Sequence, residues 1–177
     1  MHTLLGGAAA GLAVAAAVVP AAASAAPVTG KSQLTQNGLG SIRLGMTVAQ
    51  AQTRTGQRIQ NNLFTPGDDA CGIAQLFPER LGVNMQTTNS RIWVINVSRP
   101  GISTRTGIEV GDRVPALRRA YGSRLRSAPN KYTPKARDFW VRFAPNRKLK
   151  FYADPRGRIG QISSGRLPEV DFVEGCS

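Results

Sequence analysis

The sequence predicts an α+β architecture of two tandem helix-plus-antiparallel-sheet units. Three observations predict it. A repeat recurs at a spacing of 66 residues, each copy opens with helix start and stop signals, and strands of period two follow. In the repeat, Ile42, Gly45, Val48 and Gly56 coincide with Ile108, Gly111, Val114 and Gly122. At the same offset Ile73, Gln75 and Phe77 align with Phe139, Val141 and Phe143, and Val83 and Met85 with Leu149 and Phe151. One extra residue then brings Arg91 and Ile92 onto Arg158 and Ile159.

In the first unit Thr47 is a good N-cap, and Gln50 three residues on completes a capping box. The helix runs to about Thr55 and stops at Gly56, which suits the left-handed position after a helix. In the second unit Asp112 is the expected cap. Pro115 falls in the first turn, where its missing N–H is tolerated, and Gly122 ends the helix. Strands are expected near residues 72–77, 81–87 and 91–98, and again near 138–143, 148–153 and 158–163. Phe139, Val141 and Phe143 alternate with Asp138, Trp140 and Arg142, the pattern of a half-buried antiparallel strand. Thr88-Asn89-Ser90 and Asp154-Pro155-Arg156-Gly157 are hairpin turns by composition.

The head of the chain reads as an address. Residues 4–26 carry no charge, and Ala23-Ser24-Ala25 is an A-x-A cleavage signal. The organisation expected is a signal peptide at 1–25, a flexible segment at 26–38, a first repeat at 39–103 and a second at 104–177. Cleavage removes the chain's one histidine, His2, and none of its charge. A secreted or cell-envelope protein of 152 residues and net charge +13 remains, with no membrane span. Without imidazole, Ser-His-Asp and Cys-His catalysis and His-ligated zinc cannot be built, so the expectation is no enzyme, no cofactor and no metal. Gly30-Lys31-Ser32 lacks the first glycine of a phosphate loop. Asp68 and Asp69 are neighbours in a turn, unlike carboxylates that flank a cleft. The two cysteines, Cys71 and Cys176, are the one pair available in an oxidising compartment. A bridge between them closes a loop of about 100 residues, which stabilises by roughly 4–5 kcal/mol on the chain-entropy model.

The stretch 41–51, SIRLGMTVAQA, resembles the opening of a unit in the β-lactamase inhibitory protein family. It also resembles the related outer-membrane assembly lipoproteins of the SmpA/OmlA type. Both carry a hydrophobic-x-hydrophobic-Gly-Met-Thr signature before a helix that ends at glycine. The resemblance implies an exported tandem-repeat fold that presents a concave sheet surface to another protein. Three departures separate this chain from the inhibitors. Gly111-Asp112-Arg113 replaces Gly-Met-Thr, no cysteine pair lies within one unit, and the Thr88-Asn89-Ser90 turn has no acid to plug an active site.

Two candidate surfaces follow from the residues. If Phe139, Val141, Phe143, Leu149 and Phe151 face the helix, then Trp140, Arg142, Lys150 and Tyr152 share the opposite face. Aromatic and Arg side chains together are what protein-binding surfaces enrich. The same register gives the first unit Ala74, Leu76, Asn84 and Gln86. The second surface is a basic patch of Arg118, Arg119, Arg124, Arg126, Lys131, Lys135 and Arg137. The partner expected is an exported protein, or anionic cell-wall polymer held by charge. Nucleic acid is not expected, because no recognition motif accompanies the charge. Mass spectrometry of the exported, non-reduced protein tests the leader and the bridge together. Cleavage after Ala25 and a mass two hydrogens below the dithiol form are expected; a free-thiol mass contradicts the bridge.

Overall fold

The computed structural model describes residues 24–64, 71–143 and 145–172. The signal peptide apart from Ser24 and Ala25, the Asp68-Asp69 pair and Cys176 lie outside them. The chain forms β1 (Gln33–Thr35), β2 (Gly38–Leu39), β3 (Ile42–Arg43), α1 (Val48–Thr55), β4 (Ile59–Leu63), β5 (Cys71–Leu76), β6 (Val83–Thr88) and β7 (Arg91–Val97). Then come β8 (Ser103–Thr104), α2 (Val114–Tyr121), β9 (Arg126–Pro129), β10 (Arg137–Phe143), β11 (Arg147–Ala153) and β12 (Ile159–Arg166).

The helix starts follow local chemistry. The Thr47 hydroxyl accepts from the Gln50 N–H at 3.1 Å, and Gln50 Oε1 accepts from the Thr47 N–H at 2.9 Å. Gly56, at φ 66°, ends α1 by donating its N–H to Gln52 O. At α2 the cap is Arg113, with no side-chain cap bond, and not the expected Asp112. The Asp112 carboxylate is instead occupied by the Glu109 N–H at 2.9 Å.

The α+β reading needs correction. Strand makes up 43% of the structure and helix 18%, and the strands do not divide into two separate helix-covered sheets. One eight-stranded sheet runs in the order β4-β5-β6-β7-β12-β11-β10-β9, and a second, four-stranded sheet has the order β3-β2-β1-β8. The reason is size. Each helix has eight residues, about 12 Å. Eight strands about 4.8 Å apart make a sheet roughly 34 Å wide, far more than two such helices cover.

The small sheet supplies the missing cover. Leu34, Leu39 and Ile42 from β1–β3 join Ala51 of α1 and Leu117 and Tyr121 of α2 over Leu76, Met85, Ile95, Phe139, Leu149 and Phe151, in one core. The stretch 26–38, where flexibility was expected, puts Val28 and Leu34 into that core at 2% and 1% exposure. The Ser164 hydroxyl donates to Thr35 O at 2.6 Å, tying the middle of the large sheet to β1.

The approaches to the two helices use matching backbone bonds. The Gly45 N–H donates to Ile92 O and the Gly111 N–H to Ile159 O, both at 2.7 Å. Val48 N bonds Ser90 O at 2.9 Å and Val114 N bonds Gly157 O at 3.0 Å. Arg91 Nη1 reaches Gly45 O at 3.0 Å and Arg158 Nη1 reaches Gly111 O at 3.1 Å. Both glycines sit at φ values closed to L residues, 90° and 98°. A Cβ on Gly111 meets nothing within 4 Å, and one on Gly45 meets Trp93 no nearer than 3.5 Å. Steric space is therefore not the obstacle, and the cost of a side chain is backbone strain. Gly45→Ala and Gly111→Ala are each expected to lower urea stability by about 1–2 kcal/mol. A loss under about 0.5 kcal/mol at both would show that the backbone there relaxes freely.

Candidate functional site

The outer face of the eight-stranded sheet, opposite the core, carries the chemistry. The β10–β11 register sets Trp140 opposite Lys150, Asp138 opposite Tyr152 and Arg142 opposite Lys148. Phe139 and Val141 are buried on the other side. Trp140, Arg142, Lys150 and Tyr152 therefore share one face, with Arg142 exposed and the other three partly buried. Arg126 of β9 extends the group, since it pairs with Trp140.

Sequence reasoning missed three features of this face. Lys148 is buried at 5% exposure; its ammonium lies 5.3 Å from the Trp140 ring centre and 2.5 and 2.6 Å from the Asp171 oxygens. Asp138 accepts from Asn130 at 3.2 Å and lies 3.9 Å from Lys150. A row of amides and hydroxyls crosses the centre: Asn96 Nδ2 donates to Asn84 Oδ1 at 2.9 Å, and Ser163 Oγ and Gln161 Nε2 donate to Asn96 Oδ1 at 2.7 and 3.3 Å. Asn96 is thereby 7% exposed and held by its neighbours. The period-two pattern marked Asp138 and Asn84 as outward but gave no sign of their bonds.

On the first half of the face the sequence register is corrected by one residue. Ala74 and Leu76 are fully buried in the core, and Ile73 and Gln75 alternate outward. The structural match of β5 to β10 is at 65 residues, not 66, and a slip of one residue inverts every side chain in a strand. Asn84 and Gln86 do face outward with Gln75 and Ile73, their cross-strand partners.

The described segment after β12 folds back over this face. After β12 a short turn of 3₁₀ helix, Glu169–Asp171, places Val170 at 4% exposure against Gly165 and Val94. A Cβ on Gly165 would lie 2.6 Å from Val170 Cβ, so only glycine admits the turn. The Arg166 guanidinium stacks 3.9 Å from the Trp93 ring centre and pairs with Glu169. That hydrogen bond raises the Arg166 pKa. Burial alone would push the Glu169 carboxyl up, but the Arg166 hydrogen bond, a backbone hydrogen bond and the charges of Arg166 and Arg147 hold it below its ordinary value.

The basic patch does not form one flat surface. Arg118 and Arg119 ride on α2, on the core side, with Arg118 5.4 Å from the Phe139 ring centre. Arg124 follows α2, Arg126 faces outward, Lys131 and Lys135 lie in the β9–β10 loop, and Arg137 donates to Ser127 Oγ at 3.1 Å. All seven are exposed and wrap the β9 edge of the sheet. No acid lies between Asp112 and Asp138. Among the described residues no three His, Cys, Asp or Glu side chains gather at one point, and no helix is long and apolar enough to cross a membrane.

No family model matches the chain, and no curated protein matches it. Among solved structures the chain is similar to the uncharacterized protein yfeY from Escherichia coli, at 13% identity and a TM-score of 0.53. That match covers 76% of this chain and 99% of the other. It also matches a DUF4309 family protein, YjgB, from Bacillus subtilis, at 12% identity and a TM-score of 0.39, over 68% of this chain and 78% of that one. The first likeness is one of fold.

The Glu169 carboxylate gives the site a pH dependence. A carboxyl whose folded pKa is depressed adds stability above its unfolded pKa, about 4.3, and loses it as pH falls through the folded value. In a Trp140→Phe background Trp93 is the remaining tryptophan, since the chain has two. Its fluorescence is expected to change in an acid transition centred below the ordinary glutamate value, and Glu169→Gln is expected to abolish that transition. A transition unchanged in Glu169→Gln would assign it to another group.

Proposed function

We propose that the protein is an exported, non-enzymatic binding protein that presents the outer face of its eight-stranded sheet to another exported protein. The observation that carries this is the clustering of Trp140, Arg142, Lys150, Tyr152 and Arg126 across three adjacent strands. Aromatic rings supply desolvated contact area, and the cations around them select an acidic partner surface. Lys148 and Asp138 fix the ring and the ammonium in place, so little side-chain entropy remains to be lost on binding. The absence of histidine from the mature chain supports a non-catalytic role. The Cys71–Cys176 bridge belongs to the same proposal, because it would fasten the chain beyond the turn at Glu169–Asp171.

A second reading rests on the exposed cations wrapped around the β9 edge, with no acid between Asp112 and Asp138. They suit an anionic wall polymer, held by charge alone.

Salt and one substitution separate the two. The mature protein is titrated against a panel of exported proteins and against purified cell wall, at low and high ionic strength. Protein binding that survives high salt and weakens by about thirtyfold in Trp140→Ala supports the packed sheet interface. Wall retention that collapses with salt and falls on combined Arg118→Gln, Arg119→Gln and Arg126→Gln substitution supports the second reading. Saturable binding to neither would contradict both.

A further inference from the structure

On the core side of the sheet, away from the face discussed so far, a cleft of about 210 Å³ opens between β1, the turn after β8, the end of α2 and the β10–β11 hairpin. Leu34, Phe143 and Leu149 line it with apolar side chains, and Tyr121, Arg105 and Arg124 stand in its wall together with Thr35, Gln36 and Thr106. Two features of these polar groups point to a ligand. The first is charge. Arg105 and Arg124 are exposed, and neither has a carboxylate or hydrogen-bond partner among the described residues. Two guanidiniums left unneutralised beside one cleft are donors in search of an anion.

The second feature is Tyr121. It is 5% exposed, with its ring 5.4 Å from that of Phe151. Its hydroxyl has no hydrogen-bond partner among the described residues. It is not sealed in either: among those residues the fully enclosed side-chain atom without a partner is Gln86 Oε1. Tyr121 lines the cleft, and its hydroxyl keeps a donor that the described residues leave free. At the end of α1 the same place before the terminal glycine is held by Thr55, whose hydroxyl is satisfied by Ala51 O at 2.8 Å. A buried phenol normally finds a partner, and here the protein supplies none.

We propose that this cleft binds a small amphiphilic anion. A carboxylate or phosphate head sits between Arg105, Arg124 and the Tyr121 hydroxyl, and a short apolar group lies on Leu34, Phe143 and Leu149. The volume, about seven waters' share of liquid, limits the apolar part to a short chain or one ring. The proposal is independent of the outer face, which lies across the sheet.

The test is an amide NMR titration of the whole mature protein with octanoate, hexyl phosphate, hexanol and inorganic phosphate. Saturable shifts at Tyr121, Arg124 and Leu149 are expected with octanoate or hexyl phosphate in the millimolar range, and the tighter of the two names the head group. Arg105→Gln with Arg124→Gln is expected to weaken that binding by about tenfold or more. Tyr121→Phe, which keeps the ring, is expected to weaken it by about threefold. No saturable shift with either charged amphiphile would overturn the proposal. So would hexanol or inorganic phosphate binding as tightly, or unchanged affinity in the double variant with its spectrum otherwise native.

Discussion

The antiparallel pairing of β7 with β12 is the contact on which the rest of the molecule depends. It joins two runs of four strands, 66 or so residues apart in sequence, into a single sheet. Val97 meets Ile162 and Ile95 meets Ser164 on the inner side; Asn96 meets Ser163 on the outer side. One core then has to serve the full width, and neither helix is long enough to cover even half of it. The chain meets that demand with the strands around Leu34, Leu39 and Ile42, and a parallel contact from β1 to β8 closes the layer.

The same seam organises the outer face. Amides of one half bond across it to an amide and a hydroxyl of the other, through Asn84, Asn96, Gln161 and Ser163. The turn at Glu169–Asp171 then lies on it, seated by Val170 over Gly165 and clasped by Arg166 with Glu169 and Lys148 with Asp171. To one side the surface is amide-rich and neutral. To the other it is aromatic and cationic, continuing around the β9 edge. Charge is lopsided in the sequence too, with 17 of the 23 basic residues from Arg99 onward. A surface so divided offers a partner one end rich in anchors.

Much of the local structure was legible because its causes are local. The Thr47–Gln50 capping box, the glycine after α1 and the alternation from Phe139 to Phe143 each depend on neighbours a few residues away. Asp112 failed as a cap because a nearer donor, the Glu109 N–H, took its carboxylate. Strands β2, β3 and β8 have two residues each, too few to show any period. Edge strands β4 and β9, one amide-rich and one holding a proline, lack the β-branched run that marks an interior strand. The slip at Ala74 and Leu76 is a single residue, and period two turns such a slip into a full inversion. The fold class itself was misread for a different reason. Which strands pair across the chain is decided by long-range packing, and nothing in Arg91–Val97 alone announces β12 as its neighbour.

Candidate site residues divided along the same line. Trp140, Arg142, Lys150 and Tyr152 were readable because alternation fixes a face. Tyr121 carried no signal in the sequence, and its unpartnered hydroxyl becomes visible only once β1 and the β10–β11 hairpin stand around it. Lys148 and Asp171 are 23 positions apart, and a reversal of the chain at Pro168 brings them together.

Native-state hydrogen exchange tests the central constraint most directly, through the amides of β7 and β12 that bond across the seam. If the eight strands are one cooperative sheet, those amides open with the free energy of global unfolding measured in denaturant, matching β6 and β11 on either side. Seam amides that open well below that value, while β6 and β11 stay protected, would mean two independently stable halves and would contradict the account.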